Sequence, residues 1–278
     1  MLRVTPPVGV ILFARNIVDP AQVCTLTGDL RGLGCAVAID QEGGRVARLR
    51  PPHWPAWPAA ADLPGPGAAY DTGAAIGATC AGLGMGIVCA PVADLLHPDG
   101  HDVIGDRAYG ADPSLVAIMA RAMADGLMSQ GVVPVAKHAP GHGRAGADSH
   151  FGLPVVHGDL TQDILPFQAL SDLPWMMTAH ILYLGIDGDR PGTLSPVVID
   201  RVIRGQIGFR GVLVTDDLAM AALSGSYAER AAAAIAAGCD VALHCNGDLN
   251  DSRAVLDAAG PLTPAARRRV AAGWAAVA

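Results

Sequence analysis

Val132-Val133-Pro134-Val135-Ala136-Lys137-His138 is an apolar run that stops on a lysine and a histidine. Such a run describes a buried strand whose carboxyl end meets something polar. Working outward, the pattern recurs: residues 35–40 end on Asp40, 86–94 on Asp94, and 211–216 on Asp216 with Asp217 behind it, while 175–183 carry His180. With 9–13 and 240–246 there are seven strand candidates, spaced so that a helix fits between neighbours. Asp19-Pro20, Asp112-Pro113 and Thr263-Pro264 mark helix starts, each a capping side chain followed by proline at the first helical position. Ala231-Ala232-Ala233-Ala234 reads as a close-packing helix face, and no linker or low-complexity tract interrupts the alternation. One domain spanning 1–278 is expected.

Ionisable residues at nearly every carboxyl-terminal strand end predict an α/β fold of the TIM-type (β/α)8 barrel kind, whose parallel strands all deliver their ends to one pocket. A doubly wound sheet concentrates ligand contacts at one switch point instead. The first βα turn carries neither GxGxxG nor a Walker loop, so a nucleotide site has no support.

Composition agrees with one large soluble domain. Of 278 residues, 51% are hydrophobic and 16% charged, and the mean hydropathy is +0.35, too apolar for a disordered chain. No apolar stretch reaches the roughly 18–20 residues of a membrane span, and the start, Met1-Leu2-Arg3-Val4-Thr5-Pro6-Pro7, lacks a signal-peptide core. A cytoplasmic protein, monomeric or weakly oligomeric, with no membrane partner is expected. A net charge of -7 removes the electrostatic basis for binding nucleic acid. The six cysteines (Cys24, Cys35, Cys80, Cys89, Cys239, Cys245) form no CxxC pair and are expected to be reduced core residues.

Three constellations carry chemistry. In Lys137-His138-Ala139-Pro140-Gly141-His142-Gly143-Arg144-Ala145-Gly146-Ala147-Asp148-Ser149-His150, four Gly or Pro residues within seven exclude a helix interior. The segment reads as a mobile polar loop that presents His142 and His150 outside any core. Asp148, two residues before His150, is placed to orient its imidazole and raise its basicity for general acid/base work. In Asp40-Gln41-Glu42-Gly43-Gly44-Arg45-Val46-Ala47-Arg48, carboxylates followed by arginines suit a hydroxyl-rich ligand. In Gly211-Val212-Leu213-Val214-Thr215-Asp216-Asp217-Leu218-Ala219-Met220, paired aspartates close an apolar strand, a costly placement without a function. Strand parity alone does not choose between Asp216 and Asp217, because both faces of a barrel strand are buried.

At these three places the chain resembles the single-domain bacterial β-N-acetylglucosaminidases of glycoside hydrolase family 3, which act in peptidoglycan recycling. The similarity runs from Gly9-Val10-Ile11-Leu12-Phe13-Ala14-Arg15-Asn16 to 240–246 and departs in the Lys-His-x-Pro-Gly-His-Gly motif only at Ala139, where the family carries a bulkier residue. The resemblance implies Asp216 as nucleophile, His150 as acid/base with Asp148 as its partner, and sugar contacts from Asp40, Arg48, Arg107, Lys137 and His138. It implies a small-molecule carbohydrate substrate and no metal or cofactor. Members of this group begin with a further strand and helix, whereas only eight residues precede Gly9 here. The barrel is therefore expected to lack its first strand and to leave a groove beside 9–13.

Three other readings remain open at this point. They are a metal-dependent barrel hydrolase with Lys137, His138, His180 and Asp216 as ligands, an inert sugar-binding barrel, and a glycoside phosphorylase, in which a histidine acid/base does not repel attacking phosphate.

Overall fold

The computed structural model describes residues 6–277; Met1–Thr5, part of the start read above for a signal core, lies outside them. Six parallel strands form one sheet in chain order: β1 (Gly9–Leu12), β2 (Ala36–Ile39), β3 (Ile87–Val88), β4 (Val133–Ala139), β5 (Trp175–Thr178) and β6 (Val212–Val214). Each strand pairs in parallel with the next, as Gly9 with Ala36 and Val212 with Trp175, so every carboxyl end lies on the same side.

The helices that return the chain are α1 (Pro20–Gly32), α2 (Pro66–Gly82), α3 (Pro113–Met128), α4 (Leu165–Ala169), a π-helical turn at Val198–Gln206, α5 (Tyr227–Ala237), α6 (Leu249–Ala259) and α7 (Pro264–Ala275). The expected starts are in place. Asp19 accepts from Gln22 N, Asp112 from Ser114 N and Leu115 N, and Thr263 from Ala266 N, with proline first in each helix. Side-chain oxygens thus satisfy N–H groups that the helix itself leaves unpaired. Ala231 and Ala234 of the alanine run are fully buried on α5.

Alternation along the strands divides the core. Ile87, Cys89, Val133, Val135, Trp175, Met177, Val212 and Val214 pack together inside the curl of the sheet. Ala136, Met176 and Leu213, one residue out of phase, pack outward with Phe167, Val202 and Ala234 from the helical layer. The curl is a half-barrel.

Three strand candidates change, the 86–94 run first: it is a strand only at Ile87–Val88, with an isolated bridge from Val92 to Lys137 beyond it. The 240–246 run forms only one parallel bridge among the described residues, Val214 to Val241, and the 175–183 run breaks after Thr178, resuming as Leu182–Tyr183 in a two-stranded parallel sheet with Val155–Val156. Among the described residues no ladder joins β1 to Val241, so a closed eight-stranded barrel is not observed. An apolar cavity of about 730 Å³ lies there, walled by Ile11, Ala38, Val135, Met177, Val241 and Leu243. This is the groove expected beside 9–13. No cysteine is paired, and Cys24, expected in the core, is exposed on α1 while the other five are buried. No described helix is long and apolar enough to cross a membrane.

Candidate active site

The carboxyl ends of the strands surround a second cavity of about 300 Å³, lined by Asp40, Glu42, Arg48, Arg107, Lys137, His138, His142, His150, Asp216 and Asp217 among others, a size suited to one sugar ring. Asp40 follows β2 and Lys137 lies near the end of β4. Lys137 Nζ donates to Asp40 Oδ1 at 2.9 Å and to Glu42 Oε1 at 2.6 Å. Arg48 donates to Asp40 Oδ2 at 3.0 Å, and Arg107 grips Glu42 with two bonds of 2.9 Å. Burial raises the Glu42 carboxyl, but Arg107 and Lys137 outweigh it and hold it well below the usual carboxylate range. Asp40 is likewise lowered, burial being outweighed by Lys137 and Arg48. Burial lowers Lys137, and Asp40 and Glu42 reverse this and hold its ammonium above the ordinary lysine value. Both signs stay charged at neutral pH because each is the other's partner. The buried Nε of Arg48 has no partner among the described residues and is left to donate to a ligand.

His138 is fixed by Asp94, whose Oδ2 lies 2.7 Å from His138 Nδ1 and whose Oδ1 accepts from His142 N at 2.7 Å. One buried carboxylate thereby ties the third strand segment to the end of β4 and the start of the following loop. His142, expected to be presented outside the core, is buried beside this aspartate, with Nε2 3.3 Å from Ser149 Oγ. Burial, reinforced by His138, pushes its imidazole down to about 4, so it is neutral at pH 7.

The two neighbouring aspartates differ in what holds them. Val212 and Val214 face the inside of the sheet, and Asp216 continues that parity toward the cavity. Its Oδ1 accepts from Asp217 N at 2.8 Å. Burial raises its pKa, but His138, His180 and that N–H prevail, so it is lowered and ionised. The Asp217 carboxylate is taken up by the turn, accepting from Ala219 N and Cys245 N at 2.9 Å each.

His150 stands apart. Its ring Nδ1 and its backbone N–H both approach Asp148 Oδ1, at 2.7 and 2.9 Å. This fixes Nδ1 as the donor nitrogen and leaves Nε2 open. Burial raises Asp148, but the His150 N–H and ring outweigh it and the carboxyl is lowered.

Of the site residues that the family resemblance implies, Asp40, Arg48, Arg107, Lys137, His138, His150 and Asp216 line this cavity, and Asp148 reaches it through His150; the strand-end residues Asp94 and His180 and the loop residue Arg45 do not line it. Asp94 was missed as a site residue, and Glu42, read within the Asp40–Arg48 constellation, was not among the sugar contacts that the resemblance implies. Glu42 is two positions after Asp40 in an extended segment and so faces the same way, a signal present in the sequence. The alternative metal set is not assembled: both ring nitrogens of His180 are occupied, by Thr193 Oγ1 at 2.7 Å and Asp217 O at 3.0 Å, and Lys137 and His138 are bound to carboxylates. Among the described residues no His, Cys, Asp or Glu group is arranged to hold a metal ion.

Comparison with known proteins places this arrangement. The model of the glycosyl hydrolase family 3 N-terminal domain matches residues 6–270. A Beta-hexosaminidase of Bordetella avium is 40% identical over 261 residues, covering 86% of this chain and 73% of the relative. One of Methylococcus capsulatus is 39% identical over 281 residues, covering 95% and 83%. The native NagZ from Neisseria gonorrhoeae superposes with a TM-score of 0.87 at 31% identity, covering 99% of this chain and 84% of its own. A family 3 β-N-acetylglucosaminidase from a Paenibacillus gives 0.86 at 32% identity, with 97% of this chain and only 56% of the other covered. With the family model matching residues 6–270, relatives about 40% identical over most of the chain and a fold that superposes along nearly its whole length, this chain belongs to glycoside hydrolase family 3.

Proposed function

We propose that the chain is a retaining exo-β-N-acetylglucosaminidase that removes terminal β-linked N-acetylglucosamine from peptidoglycan fragments in the cytoplasm, with 1–278 acting as one catalytic unit. The observation that carries the reading is the contrast within the cavity wall between Asp216, ionised with one oxygen uncommitted, and the Asp148–His150 pair with Nε2 open. The sugar class rests on relatives named Beta-hexosaminidase and on a NagZ from Neisseria gonorrhoeae in complex with N-trifluoroacetyl-D-glucosamine, 30% identical with a TM-score of 0.86.

Asp40, Arg48, Arg107, Lys137 and His138 bind the sugar hydroxyls and the acetamido group, the carboxylates accepting and the cations donating. Protonated His150 gives its Nε2 proton to the leaving oxygen as an Asp216 oxygen attacks the anomeric carbon, so the C–O bond to the aglycone breaks as the bond to Asp216 forms. Neutral His150 then takes a proton from water, whose oxygen displaces Asp216 and restores the carboxylate. Asp148 keeps the ring in the productive tautomer and stabilises its cation.

The test is turnover of 4-nitrophenyl β-glycosides of N-acetylglucosamine and of glucose, each with and without phosphate. Release of free N-acetylglucosamine, faster than glucose and unchanged by phosphate or chelator, is expected. Binding without turnover would favour an inert sugar-binding barrel, and a sugar 1-phosphate product would favour phosphorolysis.

A further inference from the structure

The loop that carries His150 is rigid at its root and loose at its tip. Residues 140–143 are buried, and the Gly141 carbonyl accepts from the Tyr183 hydroxyl at 2.9 Å. Gly141 has φ +136° and lies against Asp163, where an added Cβ would stand 2.9 Å from the Asp163 Cβ, so only glycine fits there. Gly143 lies so close to the Leu95 carbonyl that any side chain would collide with it. Beyond Arg144 the ties thin out. Gly146 and Ala147 are exposed, Ser149 is held by Ala222 N at 3.1 Å, and His150 is exposed again.

Asp163 stands at the hinge between the two parts. Its side chain is 1% exposed, and its two oxygens serve two different loops: Oδ2 accepts from Arg144 Nε at 2.8 Å and Oδ1 from His97 Nε2 at 3.0 Å. The segment bearing His97 also donates from His101 N to Ala145 O at 2.8 Å. A buried carboxylate placed just before α4, on a different βα unit, thus clamps the catalytic loop to the loop on its other side. None of these side chains lines the sugar cavity.

We infer that Asp163 is a positioning residue for the acid/base. Through Arg144 and His97 it fixes the point from which 146–150 swings, and so fixes where His150 Nε2 meets the leaving oxygen. The inference rests on His150 being the acid, as proposed above. A displacement of about 1 Å at a reacting group costs on the order of a hundredfold in rate, and that cost falls where proton transfer matters.

Asp163→Asn keeps the shape and removes the charge that holds Arg144. Its kcat/KM should fall about 10- to 100-fold on an alkyl β-N-acetylglucosaminide, whose leaving group needs a proton, and change little on the activated nitrophenyl glycoside. KM should hold on both. Azide, which attacks the glycosyl-enzyme without deprotonation, should recover part of any loss in the second step. Should Asp163→Asn fold poorly, Arg144→Gln, on a half-buried side chain, should give the same split. Amide exchange across 141–149 supplies a reading independent of activity, and should accelerate about tenfold in either variant with the sheet unchanged. An equal loss on both substrates with a lowered Tm would reduce Asp163 to a structural residue, and unchanged loop exchange would overturn the clamp. Failure of the parent protein on every N-acetylglucosaminide would overturn the proposed function and leave the exchange result to decide the clamp.

Discussion

Lys137 is 3% exposed and its ammonium touches two carboxylates, whereas the His150 imidazole is 60% exposed and touches one. Around Lys137 every group is held from at least two directions, by strands and turns that lie far apart in the chain. Around His150 the only ionic partner among the described residues is two residues away on the same loop. The difference assigns two tasks. The cluster of Asp40, Glu42, Arg107 and Lys137 is preorganised, so little geometry is left to form when a sugar enters. The Asp148–His150 pair is internally ordered but carried on an exposed tip, as the acid/base role proposed for His150, serving a leaving aglycone in one step and water in the next, would require.

Removing the proposed proton donor should break this division most visibly. His150→Ala should lose on the order of 10²–10⁴-fold in turnover of alkyl N-acetylglucosaminides, the range expected for general acid/base catalysis, and far less in first-step rate on activated aryl glycosides. Its melting temperature should stay near that of the parent, since an exposed loop side chain contributes little to stability. Steady-state kinetics across leaving groups, with a melt of the same sample, check both halves.

The opposite pattern is expected in the buried cluster. Glu42→Gln leaves Arg107 and Lys137 sharing one fewer buried anion, and breaking such a pair from one side costs roughly 3–5 kcal/mol. Its denaturant midpoint should fall accordingly and its KM should rise. Asp148→Asn, which cuts the exposed pair, should move stability by only about 0.5 kcal/mol while lowering kcat. Equal stability losses in the two variants would erase the comparison.

The pH dependence of stability sharpens the contrast with a smaller effect. Asp40 and Glu42 have folded-state values below their unfolded ones, so their contribution is present above about pH 4 and lost as pH falls through the folded values. Lys137 is raised, so its share is complete below about pH 10 and lost only above that. Melts should therefore show a plateau through neutrality and a decline in acid, and Glu42→Gln should show a shallower acid decline. An acid decline of equal slope in the variant would place its origin elsewhere.

Much of this was legible in the chain because strand ends are local. An apolar run that stops on Asp40, on Lys137-His138 or on Asp216 announces both a strand and its polar end. The helix starts at Asp19, Asp112 and Thr263 were equally local, each needing only a capping oxygen and a following proline. What failed depended on partners far along the chain. Residues 240–246 have a strand's composition, yet bridge to β6 only where Val241 meets Val214, and on their other side the cavity beside β1 supplies no strand to pair with among the described residues. His142 looked exposed because its loop is rich in glycine, and it is buried because Asp94, 48 positions earlier, accepts its backbone N–H. The choice between Asp216 and Asp217 needed the knowledge that Val212 and Val214 face inward and that Cys245 N claims Asp217.

The proposed mechanism requires Asp216 to form a covalent bond with the sugar. A fluorinated N-acetylglucosaminyl fluoride, which forms the glycosyl-enzyme readily and releases it slowly, should inactivate the protein with one sugar per chain, and peptide mapping should find it on Asp216. A label on Asp217, or steady hydrolysis with no covalent species accumulating, would rule out Asp216 as the nucleophile.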